Sequence, residues 1–152
     1  MKKIIFALLF ITTITTFAQD KVVWLTDFDE AAKISQKTKK PILANFTGSD
    51  WCGYCKVLQR DVFSKSEFKK WADKNVILLE LDFPKRKKLS PELKKQNYAL
   101  QRAFGVRGYP TLWLFNVGKG KDPKKDLEQL GRTGFVRGGV QKWIESIDKY
   151  LP

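Results

Sequence analysis

Val76-Ile77-Leu78-Leu79-Glu80-Leu81-Asp82 is an almost continuous apolar run rather than an alternating one. That is the pattern of a strand covered on both faces by helices, and it predicts a central place in a sheet. A second buried strand is predicted at Ile42-Leu43-Ala44-Asn45-Phe46-Thr47, which is mostly apolar without helical spacing, follows Pro41 and ends in the turn Gly48-Ser49-Asp50. Helical signals surround both runs. Asp27 with Glu30 three positions on caps a helix that buries Phe28, Ala31, Ala32 and Ile34. From Cys52 to about Asp61 the chain carries good helix formers, with Val57, Leu58 and Val62 as a partial apolar face. Ser66 is the N-cap expected for a helix reaching Asn75, with Phe68, Trp71 and Ala72 on one side. Ser90-Pro91 announces another helix, which keeps Leu93, Asn97, Leu100 and Phe104 on one face and stops at Gly105.

The remaining strands are read at Val22-Val23-Trp24-Leu25, at Thr111-Leu112-Trp113-Leu114-Phe115 and, after a Gly118/Gly120 loop, near Leu127 to Leu130. A last amphipathic helix follows Gly138-Gly139, with Val140, Trp143, Ile144, Ile147 and Leu151 recurring at helical spacing. No linker, repeat or low-complexity block divides the chain. The order β-α-β-α-(α)-β-α-β-β-α predicts one α/β domain with a central mixed sheet, helices on both faces and an antiparallel edge.

Composition limits the chemistry. Among 152 residues there are 29 Lys+Arg, 16 Asp+Glu and no His, a formal charge of +13. Without histidine there is no Ser-His or Cys-His catalytic pair, no imidazole-bound zinc and no His-ligated haem. The basic side chains are scattered over helix exteriors and loops, while Trp24, Phe46, Trp71 and Trp113 sit in apolar patterns expected of core, so no nucleic-acid partner is expected. A narrower role falls to Lys85-Arg86-Lys87-Lys88, which can steer an acidic partner or meet an anionic surface. The sequon Asn45-Phe46-Thr47 lies in a buried strand, which argues against modification.

Residues 1–18 read as a secretory signal peptide: a cationic Met1-Lys2-Lys3, an apolar run from Ile4 to Ile11 and a small-x-small pattern at Thr16-Phe17-Ala18. Residues 19–152 would form the mature domain, exported to the periplasm or secreted, with no stable membrane insertion once the leader is removed. In such a compartment disulfides are permitted.

The cysteines, Cys52 and Cys55, stand in Trp51-Cys52-Gly53-Tyr54-Cys55-Lys56, between a buried strand and a helix. That context makes a Cys-x-x-Cys pair a redox motif. A sulfur at the first turn of a helix faces unsatisfied backbone N–H groups, which favours its thiolate, so Cys52 is the expected nucleophile. Cys55, three residues on along the same face, is placed to resolve the mixed disulfide.

Ile42 to Lys56 and Val106 to Phe115, with the element order around them, resemble thioredoxin-like proteins, particularly the exported bacterial thioredoxin-like and disulfide-isomerase-like thiol:disulfide interchange proteins. The resemblance implies a thioredoxin fold with an extra helix-containing insertion before a cis-proline loop, here Gly108-Tyr109-Pro110-Thr111. It implies a substrate surface made by Trp51, Gly53, Tyr54, Tyr109 and Pro110, with Tyr109 offering its backbone to an extended substrate. Thioredoxins usually carry a buried acid on the strand leading to the active site, and Asn45 stands there instead, unable to titrate. Glu80 is the one charged side chain within the following apolar strand and is the candidate proton relay; paired with a lysine near a strand end, it would be merely structural.

The function expected is therefore a thiol:disulfide oxidoreductase, reductase or isomerase rather than oxidase, needing no cofactor. It would act on cysteine-containing exported proteins and be reset by a membrane or soluble thiol donor. The competing reading is a binding module that keeps the fold, holds peptides at Tyr109-Pro110 and uses the bridge structurally. Metal binding is set aside, because two soft ligands leave a site incomplete.

Overall fold

The computed structural model describes residues 21–120, 122–123 and 125–152; the leader expected at 1–18 lies outside them. Asp27 accepts from the Glu30 N–H at 2.8 Å and starts α1 (Phe28–Thr38), which ends at a left-handed Lys39. Its buried stripe is Phe28, Ala31, Ala32 and Ser35. Ile34, expected in that stripe, falls on its flank and is half-buried, because the i, i+3, i+4, i+7 rows select Ser35, whose hydroxyl donates to the Lys40 carbonyl at 2.6 Å.

The fully buried β1 (Ile42–Thr47) leads to α2 (Gly53–Leu58), which continues as a π-helical stretch, Gln59–Phe63. The uninterrupted α-helix expected to Asp61 is thus re-phased, and consecutive residues Val62 and Phe63 both reach the core. Ser66 is the first residue of α3 (Ser66–Asn75) rather than its cap. Lys65 holds the cap position, and the Ser66 hydroxyl is bonded to the Glu67 carboxylate at 3.1 Å instead of to a backbone N–H.

β2 (Ile77–Asp82) is followed by α4 (Pro91–Ala103), capped by Ser90 and stopped by a left-handed Gly105 at φ 59°. Leu93 is half-buried there, whereas Asn97, Leu100 and Phe104 are buried. β3 (Thr111–Val117) and β4 (Leu127–Thr133) pair antiparallel with an irregularity between Leu114 and Phe115, and α5 (Gly139–Asp148) closes the domain. Gly139 is inside α5, one residue earlier than expected, with Gly138 as its cap at φ 109°.

The sheet order is β2-β1-β3-β4, with β1 parallel to β2 and antiparallel to β3. β2 is therefore not central. Its apolar pattern reports two covered faces, which says nothing of how many strands flank it. On its outer side the strand expected at Val22 to Leu25 is reduced to one bridge, Leu25 to Leu79.

Alternation along the strands separates two cores. Ile42, Ala44, Phe46, Leu79 and Leu81 pack against α1 and α4, while Leu43, Leu78, Leu112 and Leu114 pack against the π-helical stretch, α3 and α5. Phe46 is fully buried, but Trp24, Trp71 and Trp113 are only half-buried at the core margins. By the same parity Asn45 and Glu80 face the α2 side. Among the described residues no helix is long and apolar enough to cross a membrane.

Candidate active site

β1 runs out at Thr47, and the Cys52 N–H donates to the Gly48 carbonyl at 2.8 Å, folding Gly48 to Cys52 into a turn. Cys52, with extended backbone, is the N-cap of α2, and its Sγ accepts from the Cys55 N–H at 3.2 Å. The two cysteines are joined in a disulfide, with Cα atoms 5.3 Å apart and each residue 6% exposed. The Tyr109-Pro110 bond is cis, as expected. Because β3 starts at Thr111, opposite Phe46 of β1, the proline loop and the cysteine turn leave the sheet at the same end.

Trp51 joins the two motifs. Its ring lies 5.8 Å from that of Tyr109 and nearly perpendicular to it, and its indole N–H donates to the Phe83 carbonyl at 2.8 Å. The ring covers Gly48 so closely that a Cβ there would lie 2.5 Å from it, which is why glycine opens the turn. Trp51 remains 38% exposed and Tyr54 57% exposed, so both belong to the rim, and Gly53 borders open space. Tyr54 leans on Phe135 at 4.7 Å. Tyr109 stacks on Phe83 at 5.1 Å and accepts from the Gln101 amide at 2.6 Å; burial, ahead of other influences, pushes its phenol up.

Beneath the cysteines, Asn45 and Glu80 are register partners on β1 and β2. Both line a cleft of about 400 Å³ that reaches Cys55, Gln59 and Arg60. Burial, reinforced by Asp82, pushes the Glu80 carboxyl up from its ordinary range, with Lys87 opposing. Asn45 Oδ1 is buried with no hydrogen-bond partner among the described residues. Cys52 does not line this cleft. The structure thus brings Glu80 and Cys55 to one cavity, although among the described residues no hydrogen bond links Glu80 to a cysteine.

Three further residues belong to the site. Asp50 accepts from the N–H groups of Lys85, Arg86 and Lys87 at 3.0, 2.6 and 3.1 Å, and these bonds, Lys85 first, hold its carboxyl at about 2. Ser49 donates to Asp82 from both its N–H and its hydroxyl, at 2.8 and 2.6 Å. Phe83 backs the Trp51-Tyr109 pair. A Ser-Asp turn is a local signal, but its partners lie more than 30 residues away, beyond the reach of local patterns.

Residues 28–130 match the model of the thioredoxin-like domain. The chain belongs to the thioredoxin-like family. This thioredoxin-like chain is 34% identical over 124 residues to the disulfide bond reductase DsbH of Chlamydia pneumoniae, covering 82% of the chain and 70% of that protein. It is 28% identical over 119 residues to the thioredoxin-related protein DsbJ of the same organism, covering 78% of the chain but only 33% of DsbJ. Among solved structures, a DsbH oxidoreductase superposes with a TM-score of 0.77 at 29% identity, over 93% of this chain and 92% of that one. A thioredoxin from Thermus thermophilus shares the fold, with a TM-score of 0.60 at 17% identity over 84% of this chain and 85% of that one.

Proposed function

We propose that this thioredoxin-like protein reduces disulfides in exported polypeptides through its Cys52-Cys55 couple. The observation that carries this is the placement of Cys52: an N-cap sulfur that accepts a backbone N–H, in the turn whose Trp51 meets the Tyr109-Pro110 loop. A negative sulfur at that position is stabilised by the amide it already engages. The likeness to a disulfide bond reductase favours reduction over isomerisation, and the leader-like residues 1–18 support export.

The exchange balances as follows. The Cys52 thiolate attacks one sulfur of the client disulfide, forming a Cys52-client bond and releasing the other client sulfur as a thiolate. The Cys55 thiol loses its proton and attacks Cys52 Sγ, which releases the second client thiolate and leaves the Cys52-Cys55 bridge present in the structure. Two electrons pass to the client. A thiol donor restores the dithiol. Glu80, in the cavity reached by Cys55 but not Cys52, is the group that takes the Cys55 proton, and its raised carboxyl brings it nearer to the range of a thiol.

The test is the reduction potential of the pair together with insulin turnover. A couple near roughly −270 mV or above, with turnover, is expected; a bridge below about −300 mV without turnover would make it structural and favour the binding-module reading.

Glu80→Gln is expected to slow the resolving step by on the order of a hundredfold, the lower range of what a positioned proton acceptor contributes. It should also erase the rise of that rate with pH as the carboxyl ionises. Stability should move oppositely. Because the folded carboxyl lies above its ordinary 4.5, the native state holds more protons than the unfolded one between these values, and wild-type stability falls as pH rises through them. The Gln variant should therefore be the more stable at neutral pH, an advantage lost as pH drops below about 4.5. Stopped-flow fluorescence and urea melts across pH measure both; unchanged rates would sink the relay.

A further inference from the structure

Beside the cysteine turn lies a cleft of about 310 Å³ that the exchange chemistry does not use. Its walls include Lys85, Lys87, Lys88 and Lys94 with the rings of Phe83 and Tyr98. Among the described residues no carboxylate pairs with any of these four lysines within ion-pair distance. Of the acids nearby, Glu80 is felt by Lys87 without forming an ion pair, and two others are engaged elsewhere. Asp82, which lines the cleft, has its carboxylate turned to Ser49, and the Asp50 carboxylate is taken up by three backbone amides of the lysine loop.

The cleft is continuous with the reactive rim. Lys85 Nζ stands 4.3 Å from the centre of the Trp51 ring, Trp51 is bonded to the Phe83 carbonyl, and Phe83 lies between Tyr109 and the 45%-exposed Tyr98, at 5.1 and 5.4 Å. An extended polypeptide held against Tyr109-Pro110 therefore has a cationic trough with an aromatic wall next to it. We infer that this cleft binds acidic side chains of the client polypeptide flanking its reactive cysteine, so that clients with carboxylates near the disulfide are preferred. The three bonds of Asp50 tie the lysine loop to the cysteine turn. Ammonium groups lining one cleft without paired carboxylates attract anions, and the exposed ring of Tyr98 suits the apolar part of an acidic side chain.

The inference rests on the proposed exchange at Cys52-Cys55, and the experiment separates the two. Two disulfide-linked peptide dimers are compared, one with Asp and Glu within five positions on either side of the cysteine and one with Asn and Gln in their places. At low ionic strength kcat/KM for the acidic dimer is expected to exceed that for the neutral one by about tenfold, a modest electrostatic enhancement, and the ratio to approach one in ~0.5 M NaCl. Lys88→Glu/Lys94→Glu should bring the ratio below one, and Lys88→Gln/Lys94→Gln should give an intermediate value. A ratio of one in the wild-type protein overturns the cleft assignment and leaves the exchange intact. The assignment also falls if phosphatidylglycerol vesicles bind through Lys88 and Lys94 while the peptides are not distinguished. If neither dimer is reduced, the exchange itself fails. Fluorescence anisotropy of a labelled acidic peptide lacking cysteine then decides the cleft: binding that is lost in Lys88→Glu/Lys94→Glu upholds it, and no binding overturns it.

Discussion

Cys52→Ala is expected to abolish disulfide reduction, lowering insulin turnover by at least about a thousandfold, as removal of an enzyme's nucleophile does elsewhere. No other thiol can substitute, because the chain has two cysteines and Cys55 is placed to face Cys52 across a bridge. Cys55→Ala should behave differently. Cys52 still attacks, but nothing resolves the mixed disulfide, so one client per chain should accumulate and be visible by non-reducing electrophoresis and intact mass. Both variants should stay folded. The bridge spans a separation of only three residues, and on the loop-entropy view it contributes less than the ~3 kcal/mol of a 15-residue loop. Wild-type turnover in either variant would remove the exchange mechanism.

Trp143→Ala is expected to give the largest loss of stability, about 3–5 kcal/mol. Trp143 is 0% exposed, and its ring lies 5.3 Å from Phe63, 5.6 Å from Phe68 and 6.3 Å from Trp71. Its indole N–H donates to the Gly134 carbonyl at 3.1 Å, so the alanine variant both opens a cavity and leaves that carbonyl without its bond. A domain of this size is stable by only about 5–15 kcal/mol, so the variant should unfold at markedly lower urea. Far-UV circular dichroism measures this directly. Trp143→Phe should recover part of the loss through its ring contacts, and a loss below about 1 kcal/mol for alanine would mean that α5 is held by other contacts.

What could be read from the sequence follows the range of each interaction. Caps such as Asp27 and Ser90, the left-handed stop at Gly105 and the Cys52-Cys55 pair are decided within a few residues, and the structure has the caps, the stop and a bridge between the two cysteines. The family likeness carried the cis bond at Pro110. The place of β2 in the sheet was not legible, because an apolar run reports cover above and below but not beside. Ser66 fits the N-cap preference, yet Lys65 holds the position and the Ser66 hydroxyl bonds the Glu67 carboxylate. The π-helical turn depends on fitting both Val62 and Phe63 against α3 and α5, which periodicity along one helix does not reveal. The Asp50 clamp joins residues about 35 positions apart and only the folded chain shows it.

The outer margin of β2 bears on self-association. Leu25 takes both the Leu78 carbonyl, at 3.0 Å, and the Glu80 N–H, at 2.7 Å, while the Asn97 side-chain amide donates to the Asp82 carbonyl at 2.9 Å. An incoming strand would have to displace these groups before it could pair there. On the proposed function the protein meets extended, half-folded chains, and this margin is not a template for them. Under that proposal, client engagement would be directed away from backbone pairing at β2 and toward the cysteine end of the sheet, where contact can be broken again by thiol exchange.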